Sequence, residues 1–291
     1  MRGFESLLLR HKIKISDSLS RDCYLIFLSF HSKIRIIIGK VCYDMKDFTL
    51  EVCVDSVESA TAAVQGGATR LELCANLVIG GTTPSIFLFR EIRKLCPVPI
   101  NVIIRPRFGD FCYSSSELKI MIAEITQYLN EGADGVVFGA LLPDGGLDQA
   151  AMKPLCRAAD KMSITLHKAF DMSKDPYAVF KQAEALGIST ILTSGQRKNV
   201  LDGVDLIKEL ALSGKIDIMV GGGVNASIIP ELRAKTGISS FHLSGKVLFN
   251  SPMVYRNPEM SMGISEFGEY DIFRTSSELV AAARKVLEEI A

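Results

Sequence analysis

The chain has 291 residues, 48% of them hydrophobic, and its 33 basic and 33 acidic side chains leave no formal net charge. That balance gives no electrostatic case for nucleic acid as a partner, and it describes a globular protein with material for a large core. Seven cysteines, at 23, 42, 53, 74, 96, 112 and 156, form no short-period framework and no CxxC pair, which argues for reduced thiols in a cytoplasmic chain and against a structural zinc site.

Residues 1–44 differ in character from the rest of the chain. Eight basic and four acidic side chains give them a net +4, so residues 45–291 carry −4. Their apolar run Tyr24 to Phe30 is far below the roughly 20 residues of a membrane span. No small-residue cleavage site follows it cleanly, so neither a membrane anchor nor a secretory leader is expected. The segment reads as an extension, disordered or loosely packed, whose removal leaves residues 45–291 folded. Basic residues interleaved with Leu, Ile and Phe would also suit a membrane-surface or partner-binding arm, but such runs are usually solvated.

After Met45 the pattern becomes regular. Short apolar runs near 49–54, 70–74, 100–105, 135–139, 163–167, 189–193, 216–220 and 239–243 predict strands. Helical patterns fill the gaps: from Val57 to Gly66-Gly67, from Pro84 to Pro97, and from the caps Ser114-Ser115-Ser116-Glu117 to Gly132. Further helices fit 148–160, 176–186, 199–213, 225–235 and 276–290. Eight strands, each followed by a helix, predict a single-domain α/β fold, a (β/α)₈ TIM barrel over 45–291. The rival doubly wound sheet wants a glycine-rich turn after its first strand, and Val54-Asp55-Ser56-Val57 is not that turn.

Polar residues inside these strands fall on one alternating parity: Glu51, Cys53 and Asp55; Glu72 and Cys74; Asn101 and Arg105; Thr165 and His167; His242 and Ser244. A carboxylate cannot cheaply face an apolar helix layer, so this parity is expected to point into the barrel. Working sites of such barrels lie at the carboxyl ends of the strands. The candidates for acid–base work there are Glu72, Arg105, Asp110, His167, Asp171 and His242. Arg107, the run Gly221-Gly222-Gly223 and Ser244 are candidates for holding an anion. Lys168 has the opposite parity to His167, which ranks a Schiff-base role last. Cys53 and Cys74, on adjacent strands spaced roughly 4.8 Å apart, are either a soft thiolate pair suited to Cu(I) or two small buried residues used in packing.

Several stretches together resemble the CutC copper-homeostasis family: Glu51-Val52-Cys53-Val54-Asp55-Ser56; Arg70 to Ala75 with Gly80-Gly81-Thr82-Thr83-Pro84-Ser85; and Ile104-Arg105-Pro106-Arg107 with Gly109-Asp110-Phe111-Cys112-Tyr113. Thr165-Leu166-His167-Lys168-Ala169-Phe170-Asp171, Leu192-Thr193-Ser194-Gly195, Gly221-Gly222-Gly223-Val224, Phe241-His242 and Ser251-Pro252-Met253 continue the match. The resemblance implies a TIM barrel, cytoplasmic and homo-oligomeric, linked to copper tolerance, with Cu(I) on Cys53 and Cys74. The chain departs from the family pattern at Phe108 (usually Gly), Lys168 (usually Arg), Val220 (often Pro) and Gly245-Lys246. The convergence of titratable groups supports an alternative, a barrel enzyme acting on a small anionic or phosphorylated metabolite. Neither reading calls for nucleic acid or membrane as a partner.

Overall fold

A computed structural model describes residues 48–260 and 268–290, with the backbone of three further strands at 25–30, 33–38 and 41–44. The chain divides into two units, 1–47 and 48–291. In the first, β1 (Leu25–Phe30), β2 (Lys33–Ile38) and β3 (Val41–Asp44) form an antiparallel sheet in that order. No strands were expected in this stretch; its dense Leu, Ile and Phe content is β-prone once neighbouring strands pair. Residues 1–24, 31–32 and 39–40, the rest of the expected extension, lie outside the described residues.

In the second unit the eight apolar runs become β4 (Thr49–Val54), β5 (Arg70–Leu73), β6 (Ile100–Ile103), β7 (Gly135–Phe138), β8 (Ser163–Leu166), β9 (Thr190–Thr193), β10 (Asp217–Val220) and β11 (Ser240–Leu243). All are parallel, and β11 pairs with β4 to close an eight-stranded barrel. The helices are α1 (Val57–Gln65), α2 (Ile86–Leu95), α3 (Ser115–Asn130), α4 (Gln149–Ala159), α5 (Pro176–Ala185), α6 (Val204–Leu212), α7 (Ile229–Thr236) and α8 (Ser277–Glu289). Most start where a short polar side chain can accept an orphan N–H. Ser56, Ser85, Asp148, Asp175 and Ser276 all do so, and Ser114 with Glu117 makes a reciprocal capping box.

Two helices begin later than their patterns suggest. The stretch from 199 opens as a 3₁₀ turn, Val200–Gly203, because Asn199 caps it and Gly203 lies against the Ser194 carbonyl, where a Cβ would come within 2.1 Å. Asn225 accepts from both the N–H and the hydroxyl of Ser227, a local turn that holds off α7 until Ile229. The sequence also concealed a hairpin between barrel and final helix, β12 (Lys246–Asn250) paired antiparallel with β13 (Asp271–Thr275).

One parity of each barrel strand joins the helix-facing core: Leu50, Val52 and Val54, then Leu71 and Leu73, Ile100 and Val102, Ile164 and Leu166, Phe241 and Leu243. The other parity is polar yet equally buried, with Glu51, Glu72, Asn101, Thr165, His167 and Ser240 all below a tenth exposed. The barrel interior is therefore tightly filled. A Cβ on Gly135 would fall 2.2 Å from Ser163 Oγ and 2.3 Å from Asn101 Oδ1.

Candidate functional site

The centre of the polar interior is a carboxylate. Strand register sets Glu51 on β4 beside His242 of β11 and Arg70 of β5. Glu51 is fully buried; its Oε1 lies 2.8 Å from His242 Nδ1, and its Oε2 accepts from Arg70 Nε at 2.5 Å and from Asn101 Nδ2 at 3.5 Å. Burial pushes the Glu51 pKa upward, but the Arg70 guanidinium and the His242 hydrogen bond outweigh it and hold the group below its ordinary value. An ionised Glu51 directs the His242 Nδ1 proton to itself and leaves Nε2 for the site.

That nitrogen lies 3.8 Å from Glu72 Oε2. The donor atoms of Cys53, Glu72 and His242 all lie within 4.8 Å of one another. Burial pulls the His242 pKa down, yet the Cys53 sulfur and the Glu51 and Glu72 carboxylates raise it well above its ordinary value. Glu72 is raised, chiefly by burial. Cys74 donates to Glu72 Oε2 at 3.5 Å, and burial together with the Glu72 charge keeps it a thiol, with its pKa pushed well up. Gly221, just after β10, packs closely on Leu192, whose Cδ1 would lie 2.8 Å from a Cβ there, while His242 Cδ2 at 3.4 Å would be in ordinary contact.

The two cysteines meet in a small buried cluster with Ile103, against which Leu77 packs, so they share one place in the barrel. They are not directly opposed, however. Register pairs Cys53 with Glu72, which puts Cys74 two residues farther along its strand and makes the approach diagonal. Cys53 also lines a cavity of about 670 Å³ whose wall includes Asp55, Ser244, Lys246, Asp271 and Arg274. The hairpin β12–β13 supplies much of that wall, so an element the sequence concealed shapes access to the sulfur.

The other candidate residues separate into three groups. Arg105 and His167 lie together: the guanidinium donates to the carbonyls of Ile79, Gly80, Gly81 and Gly109, and Phe111 packs on both side chains. Asp171 instead binds together the loops after β8 and β9, accepting from Thr193 Oγ1, the Ser194 and Gln196 N–H groups and Ser194 Oγ. Lys168 turns to the same group, 3.0 Å from Ser194 Oγ and 3.5 Å from Asp171 Oδ2. Arg107 and Asp110 brace the loop after β6 against each other and against Glu117, away from the sulfurs. Phe108 is 65% exposed and projects from that loop. Gly222 and Gly223 adopt φ of 108° and 86°, conformations that favour glycine. Sequence reasoning set Glu51 on the polar parity but overlooked its part as the anchor, and it overlooked Arg70. The signal for both was an acid and a base on neighbouring strands with nothing else to pair them.

Comparison with known proteins agrees with this architecture. Residues 48–247 match the CutC family. A CutC family protein of Bacteroides fragilis is 45% identical over 232 residues, covering 77% of this chain and 92% of its own. The mouse copper homeostasis protein cutC homolog is 39% identical over 246 residues, covering 84% of this chain and 90% of its own. The crystal structure of a protein described as the copper homeostasis protein CutC of Streptococcus agalactiae superposes with a TM-score of 0.65 at 31% identity, covering 68% of this chain and 98% of that one. Among the described residues no helix is long and apolar enough to cross a membrane. The closed barrel, the polar parity and these matches over most of the chain make it a member of the CutC family.

Proposed function

We propose that this chain is a cytoplasmic copper-homeostasis protein that takes Cu(I) as its cargo on Cys53 and Cys74, with His242 completing the donor set. The observation that carries this reading is the position of Cys53. It lies on the wall of the 670 Å³ cavity, shares a buried cluster with Cys74, and groups with Glu72 and His242. Sulfur and imidazole donors suit a soft monovalent ion, whereas Mg²⁺ or Ca²⁺ would want a shell of oxygens. Loading Cu(I) displaces the Cys74 thiol proton and the Nε2 proton of His242, and Glu72 Oε2, 3.5 Å from the Cys74 sulfur and 3.8 Å from His242 Nε2, is the acceptor through which they leave. The names of the mouse and Streptococcus agalactiae relatives point the same way. A homo-oligomer is the expected assembly.

The test is a Cu(I) titration of the reduced protein against a chromogenic chelator. The parent is expected to withdraw one Cu(I) per chain, and Cys53→Ser/Cys74→Ser to lose that binding. Equal binding by both proteins would end the proposal. His242→Ala is expected to weaken binding without abolishing it.

A further inference from the structure

Arg105 is 7% exposed, and among the described residues no carboxylate lies within 4 Å of it. Four main-chain carbonyls occupy its Nη atoms, but the Nε–H is enclosed and has no protein partner. A buried cation without a counter-ion is a costly arrangement, and proteins rarely keep one.

His167, 4% exposed, shares this environment. Its Nδ1 accepts the Ala169 N–H at 3.2 Å, so Nδ1 carries no proton. Burial and the charge of Arg105 pull its pKa down to about 3, so the ring is neutral and its proton sits on Nε2. That Nε2–H is likewise enclosed and without a protein acceptor. Tyr113, half-buried, lies within hydrogen-bonding reach of Arg105, and its own enclosed O–H finds no acceptor. Phe111 covers the group: its ring centroid is 4.8 Å from that of His167 and 5.1 Å from Arg105 Cζ.

We infer that Arg105 Nε–H, His167 Nε2–H and Tyr113 O–H form a receptor for the carboxylate of a small metabolite, distinct from the cysteine site. Three donors and one uncompensated positive charge call for an acceptor with one negative charge, and close cover by Phe111 calls for a small one. A carboxylate satisfies both demands; a phosphate brings more charge and more oxygens than this group can pair. The site uses none of Cys53, Cys74 or His242, so it stands whether or not copper binds there.

The test is calorimetric titration of the full chain with sodium formate, sodium acetate and inorganic phosphate at constant ionic strength, with chloride as the reference anion. Tyr113→Phe and His167→Gln serve as variants, since Arg105 braces two loops and its loss would confound folding. Formate or acetate is expected to bind saturably, and each variant to weaken binding about ten-fold or more, the usual cost of one hydrogen bond to a charged group. Variants unfolding at the parental temperature show that the effect is local, and NMR of histidine-labelled parent shows whether the His167 Nε2–H resonance moves with occupancy. Three results overturn the proposal: a response matched by chloride, binding indifferent to both substitutions, or saturable binding of phosphate without either carboxylate. A crystal of the acetate-soaked protein with water alone beneath Phe111 would overturn it as well. Cu(I) uptake measured on the same samples reports separately on the cysteine site.

Discussion

Replacing Glu51 by Gln keeps the side-chain volume and removes the charge on which the barrel's polar interior is organised. Arg70 and His242, with side chains 18% and 12% exposed, would then face an amide that cannot balance them. Breaking a buried ion pair at one partner costs about 3–5 kcal/mol. Because Arg70 retains some contact with water, the lower end applies, about 3 kcal/mol. For a barrel of this size that corresponds to a fall in melting temperature of roughly 6–12 °C. Urea unfolding followed by circular dichroism measures it. The pH dependence gives a second, independent reading. The folded-state pKa of Glu51 lies below its unfolded value, so its stabilisation is present above the ordinary carboxylate range and is lost as pH falls through the folded value. The deficit of Glu51→Gln is therefore largest near neutrality and shrinks in acid. Replacing Arg70 as well, as Glu51→Leu/Arg70→Met, removes the stranded guanidinium and should recover the part of the loss that Arg70 carries, leaving the part due to His242. A single variant within about 0.5 kcal/mol of the parent, or strict additivity in the double-mutant cycle, would refute the reasoning.

Other perturbations have equally defined outcomes. His167 stays neutral in the fold down to about pH 3 whereas the unfolded chain takes up a proton near pH 6.5, so acid favours unfolding by about 1.4 kcal/mol per pH unit between those values. Urea midpoints from pH 7 to 4.5 should show that slope in the parent and lose it in His167→Gln. Gly135→Ala drives a methyl group into Ser163 and Asn101 and is expected to cost about 1–3 kcal/mol in the same assay. Deleting residues 1–47 should leave a cooperative barrel with its melting temperature intact, because residues 48–291 contain their own closed sheet and core; a chain that aggregates or melts non-cooperatively would contradict this.

Much of this protein could be read from residue order alone. Strand identity follows from eight apolar runs too short for helices, and helix starts follow from Ser56, Ser114, Asp148 and Ser276, since capping is a contact between near neighbours. The inward face is legible for the same reason: a period of two is local, so Glu51, Glu72 and His167 announce their side without knowledge of their partners. Partnership itself is not local. Barrel closure and strand stagger decide that Cys53 stands opposite Glu72 rather than Cys74, and that Glu51 meets both Arg70 and His242. They also send Arg107 and Asp110 to brace a loop, and leave Arg105 Nε–H, His167 Nε2–H and the Tyr113 O–H without acceptors. Those outcomes depend on register between segments far apart in the chain, which side-chain periodicity does not encode and which the packed, closed sheet sets.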